Sequence, residues 1–344
     1  MSYIDLYMNR ARTMLSSSGS RYGTVVYTLG VPFDSTTSYR PGTRFGPDAI
    51  RDALANIELN SILCDADVTL EDVNMIDLGN LKGTTNPDAM LDMLGKVMGE
   101  VAGRGLVTVL GGEHLLTLAT YRGMVRGKGS SRDGSSGDDG SSSSSSNSSG
   151  ISNSSSSKGS DGGTMLVVFD AHFDLRDEFH DCRLNHATYL RRIVEDLGGD
   201  ASNILHIGAR GYSREELDYA RRSRMNTILA RDIMLASIDS ARGTIDSEVK
   251  RSISDVVSSY DDLYISIDLD AIDPAFAPGV GTPEPFGLHP LHVLGILELL
   301  VESGRRLICL DVVELCPPYD NGITSVLAAK LMLETIIMHV KSQQ

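Results

Sequence analysis

Met165-Leu166-Val167-Val168-Phe169 runs directly into Asp170-Ala171-His172-Phe173-Asp174, and this stretch decides how the rest of the chain is read. Its first half is aliphatic, β-branched and aromatic without a polar interruption, which predicts a buried strand. Its second half places two carboxylates and an imidazole where that strand ends, the usual location of chemistry in parallel α/β folds. If the extended geometry persists for a few residues, alternation sends Asp170, His172 and Asp174 towards one side. Together, at this spacing, the three side chains form a candidate metal cradle.

Outward from this stretch the same rhythm repeats. Strands are predicted over Thr24 to Leu29, Leu106 to Leu110, Ile204 to Ile207, Leu263 to Ile267 and Leu307 to Val313. Amphipathic segments lie between them at Pro47 to Glu58, Pro87 to Ala102, Ala187 to Leu197 and Leu291 to Ser303, and a further helix follows His114. Alternation of this kind predicts an α/β fold: one three-layer α/β/α domain over 1–344, with a mostly parallel central sheet. The one compositional break spans 127–163, a Ser/Gly-rich segment in which Ile151 is nearly the only apolar residue. Such a segment buries too little apolar surface to offset its ordering entropy, so it is expected to be a disordered insertion. It enters the strand at the end opposite Asp170 and should lie away from the site.

The remaining composition narrows the partners. With 344 residues and 41% hydrophobic content the chain can bury a large core, and its formal net charge of -15 opposes binding to nucleic acid or an anionic membrane. Cationic substrates and divalent metals suit that charge. Cys64, Cys182, Cys309 and Cys316 show no CxxC spacing. No run reads as a signal peptide or as a membrane span, so the expectation is a soluble, cytoplasmic protein.

Four predicted strands end in acidic or imidazole side chains. They deliver Gly111-Gly112-Glu113-His114, the Asp170 to Asp174 cradle, Ser266-Ile267-Asp268-Leu269-Asp270, and Asp311-Val312-Val313-Glu314. Each aspartate alone could cap a helix or form a turn. Carboxylates gathered at neighbouring strand ends, however, repel one another unless cations separate them. Four aspartates and two histidines balance two divalent ions, and this oxygen-rich donor set without thiolate suits Mn²⁺.

These motifs closely resemble those of the ureohydrolase family, the arginases and agmatinases. Asp170 to Asp174 matches its DAHxD signature and Ser266 to Pro274 its SxDxDxxDP signature. Ala277 to Pro283 continues the match, and Gly111 to His114 fits with Glu113 where Asp is more usual. The resemblance implies an arginase-like fold and two Mn²⁺ per subunit, with Ni²⁺ or Co²⁺ as alternatives. One ion would be held by His114, Asp170, Asp174 and Asp268, the other by Asp170, His172, Asp268 and Asp270. It further implies attack of a water-derived hydroxide on a guanidinium carbon, giving urea and an amine. Asp174 would then orient the nucleophile, His186 would shuttle a proton to the leaving amine, and Glu314 would pair with the guanidinium. A homo-oligomer, trimer or hexamer, is also implied.

For substrate choice, Leu175-Arg176-Asp177-Glu178-Phe179 and Cys316-Pro317-Pro318-Tyr319-Asp320 resemble the agmatinase branch, archaeal-type members in particular. Arg176, Asp177, Glu178, Phe286 and Glu314 are the expected substrate contacts. The acidic pair would favour a distal ammonium such as that of agmatine, a small cationic guanidino compound, while Arg176 keeps a carboxylate-bearing substrate open. Phe286 departs from the family's paired glycines and adds bulk to a loop expected near the substrate. Free guanidine, guanidinobutyrate, guanidinopropionate and arginine are therefore alternatives. From other classes, a catalytically inactive metal-binding regulator and a mononuclear zinc deacetylase are the rival readings.

Overall fold

The computed structural model describes residues 2–10, 21–64, 68–130, 163–239 and 245–344. Most of the 127–163 segment lies outside the described residues. Among the described residues nine strands form one sheet: β1 (Met8–Asn9), β2 (Val25–Gly30), β3 (Asn74–Leu81), β4 (Leu106–Leu110), β5 (Thr164–Phe169), β6 (Ile204–Ile207), β7 (Asn226–Ile228), β8 (Asp262–Asp268) and β9 (Arg306–Val313). Their order is β1-β3-β2-β4-β9-β8-β5-β6-β7. Among these strands the β1–β3 pairing is antiparallel and the other neighbour pairs are parallel.

Side-chain alternation splits the core into two layers. Along β5, Met165, Val167 and Phe169 join one buried cluster, and Leu166 and Val168 join the other. Leu263, Ile265 and Ile267 on β8 likewise point away from Tyr264. The first face is covered by α2 (Gly46–Leu54), α7 (Ala230–Asp239), α8 (Ser247–Val257), α9 (Pro290–Glu302) and α10 (Ile323–Ser342). The second is covered by α3 (Pro87–Val101), α4 (Leu116–Ser130), α5 (Tyr189–Asp196) and α6 (Arg214–Arg222). This is a three-layer α/β/α arrangement, as the alternating segments predict.

Two features differ from the sequence reading. β1, β3 and β7 were not expected, because β3 mixes Asn74, Asp77 and Asn80 into its apolar residues and β1 and β7 have only two and three residues. Helix α10 is, contrary to expectation, long and apolar enough to cross a membrane, but 78% of its apolar window is buried. Its hydrophobicity serves the interior, where Leu333, Ile336, Ile337 and Val340 pack against the sheet.

Candidate metal centre and active site

The four strands with chemically active ends are consecutive in the sheet, β4-β9-β8-β5. Parallel pairing brings all four C-terminal ends to one edge. The turn after β4 presents His114, β9 leads to Glu314, β8 ends in Asp268 just before Asp270, and β5 leads to Asp170, His172 and Asp174. Register is held by Gly111 N donating to Val312 O at 2.7 Å and Glu314 N to Gly112 O at 2.9 Å. The residues beyond β5 do not stay extended. Asp174 adopts φ 50°, in the left-handed region, so a turn rather than strand alternation swings its carboxylate back to the others.

His114 Nδ1 lies 3.1 Å from Asp170 Oδ2, 3.0 Å from Asp268 Oδ2 and 3.8 Å from Asp174 Oδ2. His172 Nδ1 lies 3.1 Å from Asp270 Oδ2 and 3.5 Å from Asp170 Oδ1. Two donor groups thus form, His114/Asp170/Asp174 and Asp170/His172/Asp270, sharing Asp170 through its two oxygens. Asp170, Asp174, Asp268 and Asp270 are all buried. His114 Nδ1 and Asp170 Oδ2 are both buried and have no hydrogen-bond partner among the described residues. Orphaned donor atoms converging in this way fit divalent cations.

The direction of the His114 ring is fixed from behind. Ser266 Oγ donates its single proton to Asp311 Oδ1 at 2.5 Å, so it accepts from His114 Nε2, 2.9 Å away. The opposite nitrogen then faces the carboxylates. Asp311 also accepts from Tyr264 OH at 2.6 Å and Thr117 Oγ1 at 3.0 Å. Tyr189 stacks on the His114 ring with centroids 4.2 Å apart. On the Asp270 side, Thr282 Oγ1 donates to Oδ2 at 3.0 Å and Ala171 N to Oδ1 at 3.0 Å.

Charge crowding sets the protonation. Burial and the Asp170 charge push Asp174 well above its ordinary value; burial, Asp270 and Asp170 do the same to Asp268. Burial alone would depress His114, but Asp170, Asp174 and Asp311 raise it to about 9. Asp170 is held far below the carboxylate range, since His114 and His172 overcome its burial. Burial, then the Glu113 charge, raises Glu314 to about 8.

A cavity of about 170 Å³ adjoins this cluster, lined by His172, Asp174, Asp268, Asp270, Thr282 and Glu314 together with Ser38, Arg176, Phe179, His186 and Glu216. Glu314 Oε1 accepts from the His114 backbone N–H at 2.7 Å, which leaves Oε2 uncommitted. Arg176 lies 3.6 Å from Glu216 and stacks over Phe179 at 5.2 Å. The other expected substrate contacts lie outside the lining. Asp177 is turned to Arg192 at 2.8 Å and Arg183 at 3.2 Å, and Glu178 is exposed. Phe286 is 77% exposed at φ 62°. Its loop is gripped instead by Arg210, whose guanidinium donates to the carbonyls of Asp270, Ala271, Gly208, Glu284 and Pro285 at 2.7–3.3 Å. Arg210, Ser38 and Glu216 gave no sequence signal, because their partners are remote in the chain; Ser266 and Asp311 sat inside quoted motifs without an assigned part.

A model of the arginase family matches residues 25–338. Agmatinase from Pyrococcus horikoshii is 31% identical over 317 residues, covering 91% of this chain and 91% of its own. Guanidinobutyrase from Pseudomonas aeruginosa is 30% identical, covering 90% of this chain and 84% of its own. The crystal structure of agmatine ureohydrolase from Thermoplasma volcanium superimposes with a TM-score of 0.73 at 30% identity, over 97% of this chain and 96% of that one.

Proposed function

The chain belongs to the arginase family, and we propose that it is a two-metal ureohydrolase converting agmatine and water to putrescine and urea. The observation that carries this reading is the pair of His/Asp groups sharing Asp170, at the floor of a cavity also lined by His186 and Glu314. His114, Asp170, Asp174 and Asp268 would hold one ion and Asp170, His172, Asp268 and Asp270 the other, with Mn²⁺ preferred over Ni²⁺ or Co²⁺. When bound, such ions supply Lewis acidity that lets water act as a nucleophile at neutral pH.

The chain's own groups then divide the work. Glu314, raised to about 8 by burial, is ionised by the positive charge of the arriving guanidinium and offers Oε2 to one of its N–H groups while Oε1 stays anchored on His114 N. Asp174 accepts a proton from the attacking water. His186, lowered to about 4 by burial, is neutral at physiological pH. It takes a proton at Nε2 and passes it to the departing amine. A cavity of about 170 Å³ suits a small substrate, and Glu216 offsets the charge of Arg176, so a distal ammonium is tolerated.

Arg176 in the lining also supports a second reading, a guanidino acid such as guanidinobutyrate whose carboxylate meets that cation. Urea release from the Mn²⁺-loaded protein across agmatine, guanidinobutyrate, guanidinopropionate, arginine and guanidine separates the two. Agmatine should give the highest kcat/KM; arginine or guanidine ranking above it overturns the assignment. Asp270→Asn should abolish turnover with the fold retained. Four unpaired cysteines accord with a reducing, cytoplasmic setting, and a trimer or hexamer is the assembly we expect from light scattering.

A further inference from the structure

We propose that Glu113 is a positioning residue for His186, acting through Thr36, so that the loop carrying one metal-site histidine holds the proton-transfer histidine in its working tautomer. The proposal rests on the ureohydrolase reading, in which His186 moves a proton. Glu113 directly precedes His114, yet its fully buried carboxylate is taken up by the Thr36–Thr37 segment. It accepts Thr36 N at 2.8 Å, Thr36 Oγ1 at 2.5 Å and Thr37 Oγ1 at 3.4 Å.

Thr36 in turn brackets His186. Its hydroxyl, already donating to Glu113, accepts from His186 N at 3.0 Å, and its carbonyl lies 2.8 Å from His186 Nδ1. Asn185 Nδ2 donates to the same carbonyl at 3.3 Å. A carbonyl has no proton to give, so Nδ1 carries the hydrogen. The neutral ring therefore presents its lone pair at Nε2, beside Ser38 Oγ at 3.2 Å and the cavity. Without Glu113 the Thr36 segment loses three hydrogen bonds and both grips on His186 loosen. Asp at position 113 would end about 1.5 Å short of Thr36.

Loss of such outer partners commonly reduces activity 10–100-fold. Glu113→Gln and Thr36→Val should each lower kcat for urea release from agmatine about tenfold, with KM within about twofold and metal content unchanged. Thr36→Ser, which keeps the hydroxyl, should recover to within about threefold of the parent. In a His186→Ala background, itself slower by about 100-fold or more, either change should alter kcat by less than about twofold. Independently of activity, ¹H–¹⁵N spectra of protein loaded with diamagnetic Zn²⁺ should show His186 as the Nδ1–H tautomer in the parent and a tautomer mixture in Glu113→Gln. An unchanged tautomer in Glu113→Gln, metal loss in that variant, or an equal kcat loss on top of His186→Ala overturns the proposal. Undiminished urea release by His186→Ala would instead overturn the underlying assignment of His186.

Discussion

Loading metal into the stripped protein at pH 7 should expel protons, and their number tests the site directly. In the metal-free fold His114 is raised to about 9; burial opposes the charge on His172, but Asp270 and Asp170 raise it well above its ordinary value. Both rings therefore hold an extra proton at pH 7, and both must release it to offer a lone pair at Nδ1. Asp174 and Asp268, pushed up by burial and neighbouring carboxylates, hold up to two more. Filling both sites should thus release roughly two to four protons per chain. Titration calorimetry of Mn²⁺ in buffers of different ionisation enthalpy gives the count as a slope. Moving one imidazole from 6.5 to about 9 corresponds to about 3 kcal/mol. The sign follows from which state holds the proton. The folded site binds protons that the unfolded chain has lost above about pH 6.5, so the stability these imidazoles contribute to the stripped protein is full below that pH and declines as pH rises through 9. The chelator-treated protein should melt roughly 5 °C lower at pH 9 than at pH 6.5, whereas metal loading should reverse that trend. Release of fewer than one proton, or a stripped protein that is more stable at pH 9, would refute this account of the cluster.

Three further outcomes are expected. Ser266→Ala removes the acceptor behind His114 and should weaken metal binding about 10–100-fold in a competition assay with a chromophoric chelator, with the fold intact. Arg210→Met strands five carbonyls and should cost about 3–5 kcal/mol in denaturant unfolding while raising KM, because the loop from Thr282 to Gly287 loses its clamp. Phe286→Gly relieves a left-handed φ of 62° at a side chain 77% exposed. Strain relief of about 1–2 kcal/mol, less about 0.5–1 kcal/mol for the added freedom of glycine when unfolded, should leave a gain of roughly 0.5–1 kcal/mol. A lower melting temperature for Phe286→Gly would show that the ring packs against something that holds it.

Where local pattern sets structure, the sequence was sufficient. Uninterrupted apolar runs marked β4, β5, β6, β8 and β9 to within about one residue, and the layered α/β class followed from their alternation with helices. The nature of the donors, aspartate and histidine at strand ends without thiolate, was equally legible. β3 escaped because its polar residues break the pattern, and the swing of Asp174 escaped because a left-handed turn carries no periodic signal. The acidic run at Asp177 and Glu178 suggested a cationic rim, but its orientation was set by Arg183 and Arg192.

By itself, then, the sequence determined which apolar segments form the central strands and which side chains gather at their carboxyl ends, since both depend on neighbours a few residues apart. Tertiary structure alone decided that β4, β9, β8 and β5 stand side by side, that Ser266 and Asp311 steer His114, and that Glu113 reaches His186 through Thr36. Those contacts join residues separated by 45 to 152 positions, from Ser266 to Asp311 and from His114 to Ser266. No local pattern encodes such pairings; they form only when strand order and burial bring distant polar groups into a space without water, where each must find a partner.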